Sequence, residues 1–426
     1  MTILQISDIH WTKRRKWNED FKGMKDRFIK DVNEYKEKYG AFDYVFICGD
    51  IVFKGKAEEY VLAEEYIQKI CEAAGCTFND VFVVPGNHDL IRDAQGHDKR
   101  EMLNIALADP NRGNAFLDEV ILKSKEMREA QFRAFEDYND FAKIHLCSEE
   151  VMDECLQGKD DIQQDGRLYY HEQLAKKVGR FSVSIQGVNT ALNCDIWDWN
   201  AEKLMGHKQF LPRRSYLLDE ERKQEVRILM GHHPLPFLIE DEEMEDYLNS
   251  HYHIQLFGHV HEQNVEGDNY VRVQSGAFDP PKDKKAPERY KPVYNIIELM
   301  EKDDTHVIVK GNAQIWDGSK FVAYDEGSFE KVIEIEPDMN RWEQPTVPKT
   351  TDIDKRGIKF KFIKLDNRIA FYDKVAGVNF MVNAGRSEYD NCLDFLDAVE
   401  KAGKLGELNN LIEKKDKQWQ ICYKRC

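Results

Sequence analysis

The sequence lacks the features that mark membrane-bound or secreted proteins. It has no apolar run of membrane-spanning length, and no basic segment followed by an apolar stretch precedes the first predicted strand, at Thr2 or Ile3. Its 9 cysteines are odd in number, widely spaced and contain no CxxC pair. Such spacing favours reduced thiols over a disulfide framework or a zinc knuckle. We therefore predict a soluble, cytoplasmic protein with no membrane partner.

The chain also lacks an excess of basic residues. With 61 Lys and Arg against 78 Asp and Glu, its formal net charge is −17. This balance argues against general, non-specific binding to nucleic acid, although a local basic groove stays open. With 426 residues, the chain is long enough for one large domain with additions or for two domains.

What the sequence does contain is a set of five apolar runs that each end in polar residues. Each run is typical of a buried strand, and each polar cluster would lie where that strand ends. The clusters are Asp8-Ile9-His10, Gly49-Asp50, Gly86-Asn87-His88-Asp89, Gly231-His232-His233-Pro234 and Gly258-His259-Val260-His261. In open α/β sheets, ligand sites collect at the carboxyl ends of strands. A single cluster could be a turn with a capping residue, but five are hard to explain by packing.

The side chains in these clusters are imidazole and oxygen donors, without a thiolate. Such donors suit a pair of borderline divalent ions, with Mn²⁺ the first choice and Fe or Zn²⁺ as alternatives. The ligand charge is low, since Asp8 and Asp50 are the anionic ligands and Asn87 contributes a neutral oxygen, so two divalent ions would stay under-neutralised. The sequence therefore predicts an electrophilic site that attracts an anion and acidifies a bound water molecule.

In their order along the chain, the five clusters resemble the motifs of the calcineurin-like metallophosphoesterases. The resemblance runs from Ile3 to about Tyr324, excluding a helical insertion. It implies two metal ions with Asp50 bridging them. One ion would be bound by Asp8, His10 and His261, and the other by Asn87, His232 and His259. Of the histidine pair, the resemblance selects the one two places before the proline, which is His232.

The resemblance also implies a mechanism. A hydroxide held between ions roughly 3.5–4 Å apart would attack phosphorus in line. His88 would contact the phosphoryl oxygen or protonate the leaving oxygen as a general acid, with Asp89 behind it to orient the imidazole. General acid catalysis of this kind contributes about 10²–10⁴-fold to the rate.

The sequence departs from the protein Ser/Thr phosphatases of this family. Where those enzymes have an aspartate and an arginine after the second motif, this chain has Phe53 and Lys54, and Pro85 stands where they have a further arginine. These differences remove guanidinium groups that would clamp a phosphomonoester. The Gly-His-His-Pro form and Asp89 look more like the family's phosphodiesterases. Arg92 and Lys54 are the nearest candidate phosphate contacts.

A basic cluster between two tryptophans follows the first motif. It consists of Trp11, Lys13, Arg14, Arg15, Lys16 and Trp17. Four cations beside a metal site would attract a phosphate-rich ligand and the indoles could stack on bases, though many charge runs are only solvated loops. Our first hypothesis is a two-metal phosphodiesterase that acts on a nucleotide or a nucleic acid. Two alternatives stay open: a phosphomonoesterase such as a protein phosphatase, and a non-catalytic scaffold on the same fold.

The alternation of predicted strands and helices, together with the resemblance, predicts an α/β fold: a two-sheet sandwich flanked by helices. Residues 1–335 form the predicted catalytic domain, interrupted by a helical insertion at about 93–178. The strands after His261 are expected to complete the second sheet. A linker at 336–357 leads to a small C-terminal α+β region at 358–426. The role of that region is open, and it could bind a protein partner or a second copy of the chain.

Overall fold

A computed structural model describes most of the chain. The described residues are 1–12, 22–91, 97–144, 167–195, 208–218, 224–239, 242–280, 290–335, 362, 371–378, 380–382 and 388–412. The chain divides into two compact units, Met1–Asp338 and Met339–Cys426. Among the described helices, none combines the length and the apolar character needed to cross a lipid bilayer.

The first unit alternates strands and helices. Its strands are β1 (Thr2–Ile6), β2 (Tyr44–Cys48), β3 (Val81–Val84), β4 (Tyr169–Gln173), β5 (Ser182–Val188), β6 (Glu225–Met230), β7 (Ile254–His261), β8 (Asn264–Glu266), β9 (Val271–Gly276), β10 (Val293–Glu301), β11 (His306–Trp316), β12 (Phe321–Ala323) and β13 (Phe329–Glu334). Its helices are α1 (Lys22–Tyr39), α2 (Ala57–Ala74), α3 (His97–Leu107), α4 (Gly113–Phe116), α5 (Lys125–Phe132), α6 (Glu136–Ile144), α7 (Arg213–Tyr216) and α8 (Glu242–His251).

These strands form two sheets, and each sheet contains a group of neighbouring parallel strands whose carboxyl ends lie together. The first sheet has the order β12-β11-β10-β1-β2-β3, and β13 also pairs with β11. In it β1, β2 and β3 are parallel, with Ile6 opposite Ile47 and Cys48 opposite Val84. The second sheet has the order β4-β5-β6-β7-β9-β8, in which β5, β6, β7 and β9 are parallel. The loops that follow these strands therefore lie at one edge of each sheet.

The two sheets pack on each other and helices cover their outer faces. One core joins side chains of the first sheet and of helices α1 and α2 to Ile228 and Leu256 of the second sheet. The next residues along those strands, Leu229 and Phe257, point the other way into a second core, shared with α3 and α8. The layers are thus helix, sheet, sheet and helix, which confirms the predicted fold class.

The structure corrects the predicted extent of the helical insertion. Helices α3 to α6 lie in the predicted range of 93–178, but β4 also lies there and pairs antiparallel with β5 at the edge of the second sheet. Its sequence, Tyr-Tyr-His-Glu-Gln, buries only the first two side chains. An edge strand needs little apolar character, so the hydrophobic pattern did not reveal it.

Of the strands predicted after His261, only the one observed as β9 lies in the second sheet, where it pairs with β8, a strand that was not predicted. β10 pairs antiparallel with β1, and β11, β12 and β13 extend the first sheet from there. Apolar periodicity identifies a strand, but it does not say which edge that strand pairs with. The amino-terminal strand β1 is consequently central in its sheet, with neighbours on both sides.

The second unit has a small core of its own. Its described residues include helix α9 (Glu388–Lys401) and a further helical segment at 405–412, separated by Gly403 at φ 67°. Phe362, Phe395 and Leu408 are fully buried in this core. The linker predicted at 336–357 lies outside the described residues. Of the strands predicted at 358–365 and 369–372, only residues 362, 371 and 372 are described. Phe371 and Tyr372, which are described, begin a turn.

Candidate metal centre

The loops after β1 and β2 continue side by side beyond the regular strands. The Asp8 N–H donates to the Gly49 carbonyl at 3.1 Å, and the His10 N–H donates to the Asp50 carbonyl at 3.0 Å. This register brings the first two polar clusters together. The backbone N–H of His259, from the second sheet, donates to the Asp8 carboxylate at 3.1 Å. The predicted ligands of the two sheets therefore meet at one place.

Unusual backbone conformations are concentrated at these loops. Among the described residues other than glycine, six have a positive φ, and five of those six are predicted metal ligands. The five are Asp8 (55°), His10 (54°), Asp50 (50°), His259 (71°) and His261 (62°). This left-handed conformation costs about 1–3 kcal/mol per residue and persists only where the surroundings enforce it. The fold therefore holds five strained residues in one place, as functional sites commonly do.

Two glycines let the ligand-bearing loops approach closely. A Cβ on Gly86 would lie 2.2 Å from Asp50 Oδ1, and a Cβ on Gly49 would lie 2.5 Å from His232 Nδ1. Both separations are far below van der Waals contact. A side chain at either position would therefore displace Asp50 or His232, which explains why the second and third motifs need glycine there.

The first predicted ion site is formed by side chains whose ligand atoms converge. Those of Asp8, His10 and His261 all lie within 4.8 Å of one another. His261 Nε2 is 3.1 Å from Asp8 Oδ1, and His10 Nε2 is 3.3 Å from Asp50 Oδ2. Atoms bound at 2.0–2.2 Å to one tetrahedral ion stand roughly 3–3.5 Å apart, so these separations suit a shared ion.

The second predicted ion site adjoins the first through Asp50. His232 Nε2 is 3.2 Å from Asn87 Oδ1 and 3.4 Å from Asp50 Oδ2. His259 is the remaining ligand predicted for this site, and its ring centroid is 5.2 Å from that of His232. Since Asp50 Oδ2 also faces His10, the carboxylate lies between the two sets of ligands. This is the position that a ligand shared by two ions requires.

Hydrogen bonds on the far side of two imidazoles determine which nitrogen faces the centre. His232 Nδ1 is 2.8 Å from the Cys48 carbonyl, and His10 Nδ1 is 3.3 Å from the Asp279 carbonyl. A carbonyl oxygen only accepts, so each Nδ1 donates and Nε2 is the nitrogen directed at the centre. Metal-binding histidines generally have such a partner. The donor set and its orientation therefore fit two divalent ions.

Electrostatics at the site favour bound positive charge. Burial acts to lower the pKa of His232, but the Asp50 and Asp8 carboxylates outweigh it and raise that pKa to about 9. Burial acts to raise the pKa of Asp50, yet the His232 and His88 imidazoles hold it well below its usual range. Burial lowers the pKa of His259 to about 3, which keeps this imidazole in the neutral, metal-binding form. Carboxylates that stabilise an imidazolium would also stabilise a divalent cation.

His88, the predicted general acid, lies beside the ligands. Its ring centroid is 4.7 Å from that of His10, and its backbone N–H donates to Asp50 Oδ1 at 2.7 Å. His88 Nδ1 donates to the Phe53 carbonyl at 3.1 Å, so Nε2 is the nitrogen on the opposite side of the ring from this carbonyl. This arrangement suits a residue that gives a proton to a leaving group.

Asp89 lies in a different position from the one expected behind the His88 imidazole. Its fully buried carboxylate accepts hydrogen bonds at 2.9–3.2 Å from the backbone N–H groups of Ile51, Val52 and Gly86 and from the Tyr60 hydroxyl. Asp89 therefore ties the loop after β2 to the loop after β3. The group observed behind His88 is the Phe53 carbonyl, which pattern reasoning could not assign because backbone carbonyls leave no mark in a sequence.

Three half-buried aromatic residues, here called the aromatic rim, lie against the histidines of the centre. The contacts, given as distances between ring centroids, are Phe53 to His88 at 5.1 Å, Phe237 to His259 at 4.7 Å and Tyr290 to His261 at 5.8 Å. The sequence analysis missed Phe237 and Tyr290. A signal existed for Phe237 alone, because it follows the fourth motif by three residues.

A comparison with protein families agrees with this geometry. A model of the calcineurin-like phosphoesterases matches residues 1–263, more than half of the 426 residues of the chain. The chain belongs to this family. The matched range contains all five polar clusters, and the predicted family is thereby confirmed.

One curated relative of this calcineurin-like phosphoesterase is an uncharacterized metallophosphoesterase-like protein, YydB, from Bacillus subtilis (strain 168). It is 27% identical over 289 residues, which are 65% of this chain and 53% of YydB. The chain therefore spans about half the length of the curated relative that it matches.

Two solved structures share a weaker likeness. The calcineurin-like phosphoesterase YfkN from Bacillus subtilis is 10% identical with a TM-score of 0.31, over 78% of this chain and 90% of that chain. Wild-type Vps29 from Entamoeba histolytica complexed with Zn²⁺ is 11% identical with a TM-score of 0.31, over 78% of this chain and 99% of that chain. Values this low do not bear on activity or partners.

The structure does not support the predicted base-stacking role of Trp11 in this phosphoesterase. The Trp11 ring is buried in the core, 4.8 Å from the Tyr66 ring and beneath the Lys25 ammonium group. Lys54 is half-buried, and its backbone N–H bonds to Glu59. The other predicted substrate contacts lie outside the described residues: Lys13, Arg14, Arg15, Lys16, Trp17 and Arg92.

Proposed function

We propose that the chain is a two-metal phosphodiesterase that acts on a nucleotide or nucleic-acid substrate. The observation that carries this proposal is the convergence of the seven predicted ligands. Six of them have a ligand atom 3.1–3.4 Å from that of another, the His259 ring lies 5.2 Å from the His232 ring, and five of the seven residues hold strained backbone conformations. A fold that needed only stability would have little reason to keep them.

In this proposal one group of residues binds the metal ions, and His88 transfers a proton. When bound, two ions would polarise the phosphoryl oxygens and lower the pKa of a water molecule. Asp8 and Asp50 would supply the negative charge that holds such ions, and the anchored His10 and His232 would present Nε2 to them. His88 supplies the proton to the leaving oxygen through Nε2, since Phe53 retains the proton on Nδ1.

The aromatic rim supports a diester over a monoester. A phosphomonoester with two free charges calls for guanidinium or ammonium groups around the phosphorus. Here Phe53 packs against His88, which adjoins His10 of the first ion site, and Phe237 packs against His259 of the second. Apolar rings beside both ion sites suit the two organic groups of a diester. Flat rings also offer stacking surfaces for nucleobases, which favours nucleotide substrates.

Hydrolysis of matched synthetic esters tests the proposed function. With Mn²⁺, we expect kcat/KM for bis-p-nitrophenyl phosphate to exceed that for p-nitrophenyl phosphate by at least about tenfold, which corresponds to about 1.4 kcal/mol. A second panel would compare cyclic nucleotides, single- and double-stranded nucleic acid and glycerophosphodiesters. Preference for the monoester would favour a phosphomonoesterase, and the absence of bound metal in protein purified without chelator would favour a scaffold.

Replacing Phe237 by leucine tests the aromatic rim. Loss of stacking on this ring should raise KM for aryl or nucleotide diesters roughly tenfold, because base–aromatic stacking contributes about 1–3 kcal/mol. KM for a dialkyl phosphodiester and the metal content should stay unchanged. Phe329→Leu is the matched control, since Phe329 is a half-buried phenylalanine in the distant strand β13. Equal KM values for Phe237→Leu and wild-type protein would contradict a stacking role.

A further inference from the structure

A buried ion pair lies directly behind the first predicted ion site. Lys25 lies in helix α1, and its side chain is 7% exposed. Its Nζ atom is 2.9 Å from Asp279 Oδ2. The Asp279 side chain is 3% exposed. Lys25 Nζ also lies 3.9 Å from the centre of the Trp11 ring. Desolvating two charges costs several kcal/mol, and apolar residues of similar volume often stabilise a fold as well or better. A contribution to the stability of the fold therefore does not by itself explain why a buried ion pair is present here.

The backbone of Asp279 is bonded to two of the predicted ligands. Its N–H donates to the Asp8 carbonyl at 3.0 Å, and its carbonyl accepts from His10 Nδ1 at 3.3 Å. Both ligands have left-handed backbone conformations, at φ 55° and 54°. Residues in such conformations keep their place only while neighbouring groups hold them. The Asp279 backbone thus holds the Asp8 carbonyl and the His10 imidazole in place.

Lys25 is connected to this arrangement at two points. Through Asp279 it fixes the peptide that bonds to Asp8 and His10, and through Trp11 it packs on the residue that directly follows His10. An ammonium group over an indole ring adds about 0.5–2 kcal/mol of attraction. One side chain of helix α1 thereby contacts both Asp279 and Trp11, which adjoin the first ion site.

We propose that the Lys25–Asp279 ion pair is a positioning device for the ion bound by Asp8, His10 and His261. This proposal rests on the metal centre of the proposed function. The second ion site has different supports, since His232 is held by the Cys48 carbonyl at 2.8 Å and by the Thr190 hydroxyl at 3.2 Å. Loss of the ion pair should therefore weaken one ion and leave the other in place.

Metal titration of single-site backgrounds tests this selectivity. His259→Ala removes a ligand of the second ion and leaves the first, whereas His261→Ala does the reverse. Lys25→Met is added to each background, and Mn²⁺ is titrated into the metal-free proteins by calorimetry. The effect of Lys25→Met on Mn²⁺ affinity should differ between the two backgrounds. We expect about 10–100-fold weaker binding in the His259→Ala background, as is usual for the loss of a group that orients a ligand. We expect unchanged binding in the His261→Ala background.

Matched variants separate positioning from a general loss of stability. Arg272→Met removes another buried cation, which bonds to Glu266 at 2.6 Å and to Gln255 at 2.9 Å, and it should leave Mn²⁺ affinity unchanged in both backgrounds. Lys25→Arg keeps the charge and should restore most of the affinity. Asp279→Asn keeps the backbone and nearly the same volume, so it replaces Lys25→Met should that variant fail to fold.

Equal Mn²⁺ affinity of the first ion with and without the ion pair would overturn the proposal. An equal loss at both ions would also overturn it, because the pair would then act only through the stability of the fold. Wild-type protein that binds no Mn²⁺ at all would overturn the metal centre, and the proposed function with it. Binding of two ions by the wild-type protein and a loss confined to the first would support both.

Discussion

Asp50→Asn is expected to lower turnover of a phosphodiester by about 10³-fold or more and to remove bound metal. The Asp50 carboxylate faces His10 at 3.3 Å and His232 at 3.4 Å, and it accepts a hydrogen bond from the His88 N–H. Asparagine keeps the size but removes the charge, so the Asp8 carboxylate of the first ion site would be the one anionic ligand left among the seven. A thousandfold loss corresponds to about 4 kcal/mol, within the several kcal/mol that metal ions contribute.

Steady-state kinetics and metal analysis on the same preparation measure this effect. Asp317→Asn is the matched control. Asp317 lies in an exposed turn between β11 and β12 of the first sheet, where it accepts hydrogen bonds from backbone N–H groups, and it is not one of the predicted metal ligands. Thermal unfolding of the metal-free proteins shows whether the fold survives. Wild-type turnover with full metal content in a folded Asp50→Asn protein would contradict the central position assigned to this carboxylate.

His88→Ala is expected to lower turnover by about 10²–10⁴-fold while both ions stay bound. His88 is outside the seven predicted ligands, and its Nδ1 is held by the Phe53 carbonyl. The size of the loss should depend on the leaving group. A nucleoside or alkyl oxygen needs a proton as it leaves, whereas p-nitrophenolate leaves readily without one. The loss should therefore be large for nucleotide diesters and small for bis-p-nitrophenyl phosphate.

The comparison between leaving groups distinguishes proton donation from mere binding. If His88 only bound the phosphoryl oxygen, both types of diester would lose activity equally. His306→Ala is a suitable control, because His306 is a half-exposed histidine paired with Asp303 at 2.8 Å in the first sheet. Loss of metal from His88→Ala would place His88 among the ligands and overturn its separate role.

The sequence was sufficient to predict the family and the fold class because each motif is short and local. In Gly86-Asn87-His88-Asp89, the glycine and the polar residues belong to one turn, so spacing alone places them together. The role of Asp89 could not be predicted in the same way. Its partners include the backbone N–H groups of Ile51 and Val52, which lie in the loop after β2. The register between β2 and β3 brings that loop close to Asp89.

Contacts between residues far apart in the sequence could not be predicted from sequence patterns. Asp279 follows His10 by 269 positions and belongs to no motif, so the bond between them is visible only in the structure. Trp11 shows the opposite case. Its place beside a basic run indicated an exposed indole, but the short pairing between Trp11 and Val52 carries the ring into the core. Sequence patterns report local chemistry, while pairing decides which side chains reach solvent.

The register shift in β7 has a consequence for how this protein tolerates change. Pairing between β7 and β9 is regular through Phe257 and resumes out of step at His261, so the strand carries an irregularity at Gly258-His259-Val260. Alternation in a regular strand would send His259 and His261 to the same face in identical orientations. The irregularity instead places the His261 imidazole against Asp8 and the His259 imidazole beside His232. Inserting or deleting one residue in this segment would therefore be far more harmful than most point substitutions, however well the new sequence formed a strand.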